Sequence, residues 1–480
     1  MRNWDSLLGM GGARSAEACA ALFRELVDWR RNKLRDRRGS GKRPHFRLRV
    51  LGAARSTQNI SAPPAAFTWR AQRGRMEEAH FPEASARLAT DVEPVPGNDR
   101  LILVVAAYFP DSYGGAERQA KILAEALSRR GIEVTLVAPT RSPDAPLEEL
   151  TSFGSIRRLR VRAYPNLGGR RFGSFLAWSL WVPQIFPPKR WRGVPVYVFH
   201  ARLHALAAAL TAIRLGSPLL VKLGGGGEAS EFQTLRSKKF LYGRAVEWLL
   251  RRRVRAFVAN SGQIAHELRS IGIEDGRIAE FPNGVELPDA DFLAAAAERR
   301  TGHRFVYMAR MLPDKNVDVL FHGATEAAAE GEKLELVLIG EGPEKDRLQA
   351  VQAEGEGQHR VVRFAGFMSD VYPELLAADF FVSASRREGQ SNALLEAMSA
   401  GVIPVVYAAS GVEEVVTDGV NGLIVRESTS AAFTAAMKRA IALGEAERLR
   451  MSRAARAFAE AHIGIDAVAQ RTLDLLKEPA

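Results

Sequence analysis

Continuous apolar runs of four to seven residues, separated by helical patterns, constrain this chain more than any other feature. The first is Leu-Ile-Leu-Val-Val-Ala-Ala at 101–107, and others follow at 132–138, 195–199, 219–223, 256–259 and 278–281. Runs of this kind suit strands buried on both faces, as in a parallel sheet covered by helices on either side. Helical patterns lie between them at about 115–130, 202–214 and 262–270. The turn signal Phe281-Pro-Asn-Gly284 interrupts the rhythm. It restarts with runs at 304–309, 334–339, 361–364, 380–383 and 403–406. The pattern predicts an α/β chain of two doubly wound, Rossmann-like domains, 100–284 and 285–462. Ligands in such sheets sit beyond the carboxyl ends of strands, so the loops there carry the functional information.

Composition narrows the setting. With 480 residues, 46% hydrophobic and 25% charged, the chain has the mix of a globular protein of two or three domains. Cys19 is the one cysteine, which excludes an intrachain disulfide and a cysteine-based zinc site. A reducing compartment is expected, hence the cytoplasm. Residues 1–10 lack the apolar region of a secretory leader, and the uncharged stretch 172–188 is short and proline-rich for a membrane span. The net charge is +12, and residues 1–100 hold 19 Lys/Arg against 11 Asp/Glu, so most of the excess lies there. Residues 1–99 form a basic N-terminal extension, with an amphipathic pattern over 15–35 and a linker-like stretch over 53–98. Its aromatic residues are not interleaved with its charge in any known nucleic-acid-binding pattern, so nucleic acid is not expected as a partner. Arg170-Arg-Phe-Gly-Ser-Phe-Leu-Ala-Trp-Ser-Leu-Trp181 pairs basic flanks with Trp and Leu, which raises peripheral contact with an anionic membrane. The competing account is an ordinary helix turning its apolar side to the sheet.

Four loops at strand ends hold candidate chemistry. In Tyr113-Gly-Gly-Ala-Glu-Arg118, Gly114 and Gly115 let backbone approach a ligand at a helix start, although a tight structural turn reads the same way. Arg310 and Lys315, in Met308-Ala-Arg-Met-Leu-Pro-Asp-Lys315, would clamp a diphosphate beside a helix beginning near Asp314. By spacing alone they would pass for solvated surface charges. Gly340-Glu-Gly-Pro343 is by itself a structural turn. Glu388-Gly-Gln-Ser-Asn-Ala-Leu-Leu-Glu396 turns from a strand into a helix over 393–400, whose first amides can bind phosphate. Glu396 stands beside Leu394, Leu395 and Met398, and a carboxylate there needs a partner; the two hydroxyls of a ribose would serve.

Together, and in this order, these loops resemble the retaining glycosyltransferases of family 4, which have the GT-B fold of two Rossmann-like domains facing across a cleft. The likeness covers about residues 101–478. It includes Ala259-Asn-Ser-Gly262, Pro282-Asn-Gly-Val285, and Ala408 to Val425 with Gly411, Glu414 and Asn421-Gly422. The resemblance implies that Arg310 and Lys315 hold the diphosphate of a nucleotide sugar. It places Glu388 near the transferred sugar and Glu396 on the nucleotide ribose. Gln390, Ser391 and Asn392 would contact sugar and phosphates, with Gly114 and Gly115 facing them. It implies a last helix, within 463–480, that returns to the N-terminal domain. It implies no metal and no cofactor, a UDP- or GDP-linked hexose-type donor, and a glycan, lipid-linked or small-molecule acceptor. One departure stands out: Val221-Lys-Leu-Gly-Gly-Gly-Gly-Glu228 carries no histidine where many relatives have one. His200, Lys222 and Glu228 are the candidates for the missing contact to the sugar. A nucleotide-sugar epimerase of the same architecture is the rival enzyme, but it needs carboxylates and a histidine placed for proton transfer at a sugar carbon. A non-catalytic nucleic-acid- or membrane-binding protein is the rival outside enzymes.

Overall fold

The computed structural model describes residues 99–477 apart from 113, 166–171, 225–229, 238–241, 355–357, 369, 387–389 and 410. The basic extension therefore lies outside the described residues, except for its last position. The first sheet holds β1 (Arg100–Val104), β2 (Glu133–Thr140), β3 (Glu148–Thr151), β4 (Gly154–Arg160), β5 (Val196–Phe199), β6 (Leu219–Leu223), β7 (Ala256–Ala259) and β8 (Ile278–Glu280). Their spatial order is β3-β4-β2-β1-β5-β6-β7-β8. Every pairing is parallel except β3 with β4. The second sheet holds β9 (Arg304–Met308), β10 (Glu335–Ile339), β11 (Val362–Gly366), β12 (Phe380–Ser383), β13 (Ile403–Tyr407) and β14 (Leu423–Val425). Its order is β11-β10-β9-β12-β13-β14, parallel throughout.

The apolar runs become strands for the expected reason. Ile102 and Val104 pack into one core while Leu101 and Leu103 pack into another on the opposite face. Phe305 and Tyr307, against Val306 and Met308, divide in the same way in the second sheet. Three strands escape the run pattern. β4 mixes arginines with apolar residues beside the sheet edge, β3 forms that edge by pairing with it antiparallel, and β14 has three residues. The helix expected over 202–214 forms at Ala205–Leu215 and ends at Gly216, which adopts φ 63°.

In the helix Phe172–Trp181, three of the aromatic residues behind the membrane expectation face the protein. Phe175 and Trp178 are buried in the first domain's core, with Trp181 packed against it. These three side chains pack onto the sheet. Among the described residues no helix is long and apolar enough to cross a membrane.

The chain crosses between the domains twice, side by side. Val285 N–H donates to Ile463 O and Ile465 N–H donates to Val285 O, both at 2.8 Å. The helix Ile465–Lys477 then inserts Ile465, Val468, Ala469 and Leu473 into the core that also holds Ile122 and Leu123 of the helix Gly115–Ser128. Burying a Val, Leu or Ile side chain contributes about 1.5–3 kcal/mol, so this return helix is a substantial tie between the domains.

Candidate functional site

Among the parallel strands of each sheet the order reverses at one place, between β1 and β5 in the first and between β9 and β12 in the second. Loops at such a reversal diverge and open a crevice. The loop after β1 leads to Gly114 and Gly115, and His200 follows β5. The loop after β9 carries Arg310 and Lys315, and the loop after β12 leads to Gln390–Asn392. Glu388 and Glu228 lie outside the described residues.

The Arg310–Lys315 loop is held by backbone on both sides. Ala309 N–H donates to Ile339 O at 3.1 Å, Met311 N–H to Glu341 O at 2.9 Å, and Tyr307 Oη–H to Arg310 O at 3.3 Å. Arg310 is exposed and Lys315 half-buried. No helix starts at Asp314. Pro313–Lys315 forms a single 3₁₀ turn, Asn316 takes φ 48°, and the helix Val317–Ala329 follows. Asn316 Nδ2 donates to Ala384 O at 3.3 Å and Ser428 Oγ at 3.0 Å, which ties the lysine turn to the exit of β12.

The Gly340–Gly342 turn buttresses this loop from below. A Cβ on Gly340 would stand 1.9 Å from Ala309 O, and its φ is +137°. Gly340→Ala is therefore expected to destabilise the protein by about 2–4 kcal/mol, through backbone strain and displacement of the arginine loop. A urea midpoint equal to wild type would show that the loop yields freely instead.

After β12, Ser391 caps the helix Asn392–Ser399, its Oγ accepting from Leu394 N–H at 3.4 Å. A cavity bounded by Ser383, Ser385, Gln390, Ser391, Tyr407 and Gly411 faces this helix start. The amides of the first turn have no partner within the helix and make an anion site. The side chains of Gln390 and Asn392 are committed elsewhere. Gln390 Oε1 accepts from Asn283 N–H at 2.6 Å, and Asn392 Oδ1 accepts from Asn283 Nδ2–H at 2.8 Å. Asn392 Nδ2 donates to Gly115 O at 3.2 Å. A Cβ on Gly115 would come within 2.7 Å of Asn392 Nδ2, so the second glycine of the pair makes a close domain contact.

The carboxylate of Glu396 has a protein partner that its sequence context did not reveal. Arg118 Nη1 lies 3.2 Å from one carboxylate oxygen and 3.3 Å from the other, across the cleft. Glu396 is 8% exposed. Burial pushes its carboxyl up to about 7; Arg118 works against that shift and Glu286 adds to it. Gln119, next in the same helix, reads the linker. Its Nε2 donates to Gly284 O at 2.7 Å and its Oε1 accepts from Gly284 N–H at 3.0 Å. Farther along, Glu414 Oε1 accepts from Gly262 N–H at 2.9 Å, a carboxylate on a helix N-terminus of the other domain. Arg118, Asn283 and Glu414 fall within the motifs named above and Gln119 directly follows one, yet nothing in their spacing marks them as bridges.

The three N-domain candidates separate clearly. Lys222 is 6% exposed with its ammonium 5.3 Å from the Phe199 ring centre, and burial pulls its pKa down to about 7. His200 is partly exposed and bonded to Glu231. Glu228 is undescribed. Among the described residues no group of three or more His, Cys, Asp or Glu could hold a metal ion.

With this geometry in place, comparison with known proteins is informative. Residues 113–288 match the family described as Glycosyltransferase Family 4, and residues 302–442 match Glycosyl transferases group 1. Each sheet thus lies largely within a stretch that resembles a glycosyltransferase domain, of the family 4 type for the first and of the group 1 type for the second. The lipopolysaccharide core biosynthesis glycosyltransferase LpsE of Rhizobium meliloti is 35% identical over 122 residues, 25% of this chain and 36% of that protein. The chain therefore spans about a third of that relative's length. LpsD of the same organism, given the same description, is 26% identical over 373 residues, 73% of this chain and 94% of that protein. An Anabaena protein, HepE, solved in complex with UDP and glucose, shares the fold with a TM-score of 0.60 at 17% identity. That match covers 79% of this chain and 99% of the Anabaena chain.

Proposed function

We propose that this chain is a glycosyltransferase that moves a hexose-type sugar from a UDP- or GDP-linked donor to a hydroxyl of a glycan, lipid-linked or small-molecule acceptor, with retention of anomeric configuration. The observation that carries this is the strand-order reversal of the second sheet. It puts the loop of Arg310 and Lys315 next to the loop that leads into the helix start capped by Ser391, whose first amides have no partner within the helix. Breaking the bond between sugar and diphosphate makes the sugar cationic and adds negative charge to the diphosphate. Cations and amides fixed around the leaving oxygens stabilise that change without reorganising. Glu396 takes the ribose hydroxyls, one turn into the same helix. Gly114 and Gly115 face the donor from the first domain, and the family resemblance gives Glu388 the contact to the sugar.

The acceptor class draws on the lipopolysaccharide core descriptions of LpsE and LpsD. The deciding experiment is a thermal-shift screen of UDP- and GDP-sugars, since a ligand bound to the native state raises its melting temperature. The donor that shifts most is then incubated with candidate acceptors and the product's anomeric configuration read by NMR. Stabilisation by a nucleotide sugar with transfer is expected. An epimerised donor formed without any acceptor would sink this reading in favour of epimerase chemistry.

A further inference from the structure

We infer that His200, positioned by Glu231, is the base on the first domain that receives the proton of the attacking hydroxyl. This rests on the sugar-transfer reading above and adds to it a residue for the acceptor side. His200 follows β5 at the strand-order reversal of the first sheet, beside β1, whose following loop reaches Asn392 through Gly115. It takes φ 73°, one of two non-glycine residues with positive φ among the described residues. Such a conformation is strained and persists where the surroundings impose it. Here the imposing contacts are visible. His200 N–H donates to Lys222 O at 2.7 Å, and the ring Nδ1 lies 2.5 Å from Glu231 Oε1.

Glu231 is fully buried yet saturated. Its Oε2 accepts from Ala201 N–H at 2.5 Å and its Oε1 also accepts from Gly224 N–H at 3.2 Å. Burial pushes its carboxyl up, but His200, Arg202 and the Ala201 amide outweigh that and hold it below the usual range. An ionised carboxylate on Nδ1 requires the hydrogen to sit on Nδ1, so in the neutral ring the lone pair is on Nε2. The His200 side chain is 21% exposed, and among the described residues Nε2 has no hydrogen bond shown. A Cβ on Gly224 would meet His200 Cε1 at 2.7 Å, so a glycine there leaves the ring its place.

Neighbouring groups do not offer the same lone pair. His204 is buried, bonds Phe199 O through Nε2, and burial pulls it down to about 3. Lys222 is shielded against Phe199.

The step balances simply. The hydroxyl oxygen forms its bond to the anomeric carbon as its proton passes to Nε2. The bond from that carbon to the diphosphate oxygen breaks, leaving its electron pair on the diphosphate. Glu231 offsets the imidazolium charge until the proton passes to solvent. The base acts on the hydroxyl and not on the anomeric carbon, so the role fits either stereochemical course.

The test uses the full chain, the nucleotide sugar selected by thermal shift, and water as the attacking hydroxyl. Release of nucleoside diphosphate is measured for wild type and His200→Ala. A fall of about 100-fold or more is expected, the usual worth of a positioned base. Stabilisation by free UDP or GDP should be unchanged, and added imidazole should restore part of the rate. An equal release rate in His200→Ala, with the nucleotide shift intact, overturns the inference and leaves the sugar-transfer reading standing. A wild type that neither binds a nucleotide nor releases diphosphate removes the sugar-transfer reading itself. Should His200→Ala fail to fold, the imidazole ¹⁵N spectrum of wild type decides. A bare Nε2 with protonated Nδ1 supports the role, and a protonated Nε2 in the neutral ring overturns it.

Discussion

Replacing Lys315 by alanine is expected to lower kcat by about 100- to 1,000-fold, the range seen when one preorganised contact to developing charge is removed. The physical reason is timing. The diphosphate carries its greatest charge as the sugar departs, so a cation beside it favours the transition state over the bound donor. Donor KM should move little by comparison. Stability should move less than kcat, because the 3₁₀ turn that carries Lys315 is also held by backbone bonds and by Asn316. Lys315→Arg should recover part of the rate, since it restores charge without the same reach. Steady-state kinetics of the two variants provide the check. Near-normal kcat in Lys315→Ala would place the diphosphate away from this loop.

What the sequence disclosed follows from where the information is stored. Strands buried on both faces must be apolar throughout, so the central strands of both sheets were visible as runs. β4, next to the edge strand β3, buries Ile156 and Arg158 in alternation, and Arg158 places its guanidinium against Pro146 O, Phe109 O and Glu149. An arginine absorbed in that way erases the apolar signal. The strand ends carrying Arg310, Lys315 and Gln390–Asn392 were legible because a doubly wound sheet puts ligands at the carboxyl ends.

The contacts between domains were not legible. Gln119 is one more polar residue on an amphipathic helix until Gly284, 165 positions away, is brought to its amide. The same holds for Glu231, which follows a glycine run and gains meaning only beside His200. Long-range pairing is a property of the folded chain, and local spacing holds no record of it. The helix expected at Asp314 shows the converse. Pro313 does begin a turn, but Asn316 interrupts it in a left-handed conformation to reach Ala384 and Ser428.

Glu396 is where the two kinds of information meet, and it gives the second large effect. The awkward carboxylate was visible from its apolar neighbours, while Arg118 was not. With its pKa pushed to about 7, against about 4.3 for a free glutamate, the folded protein holds a proton that the unfolded chain has released across that interval. Its contribution to stability is therefore fully present below about pH 4.3 and lost as pH rises through about 7, on the order of 2–4 kcal/mol. Nucleotide binding should run the other way. Ribose hydroxyls donate best to an ionised carboxylate, so affinity for UDP or GDP should rise as pH climbs from 6 to 8. Glu396→Gln should flatten both profiles. At pH 8 it should weaken nucleotide binding by about 10- to 100-fold, the worth of hydrogen bonds to a charged group. Arg118, with a third of its side chain exposed, can turn to water in that variant, so the fold should survive. Calorimetric titration at pH 6 and pH 8, beside urea unfolding at the same two values, reads both quantities. Wild-type affinity that is independent of pH and matched by Glu396→Gln would remove the ribose from this carboxylate, leaving its bond to Arg118 as its whole purpose.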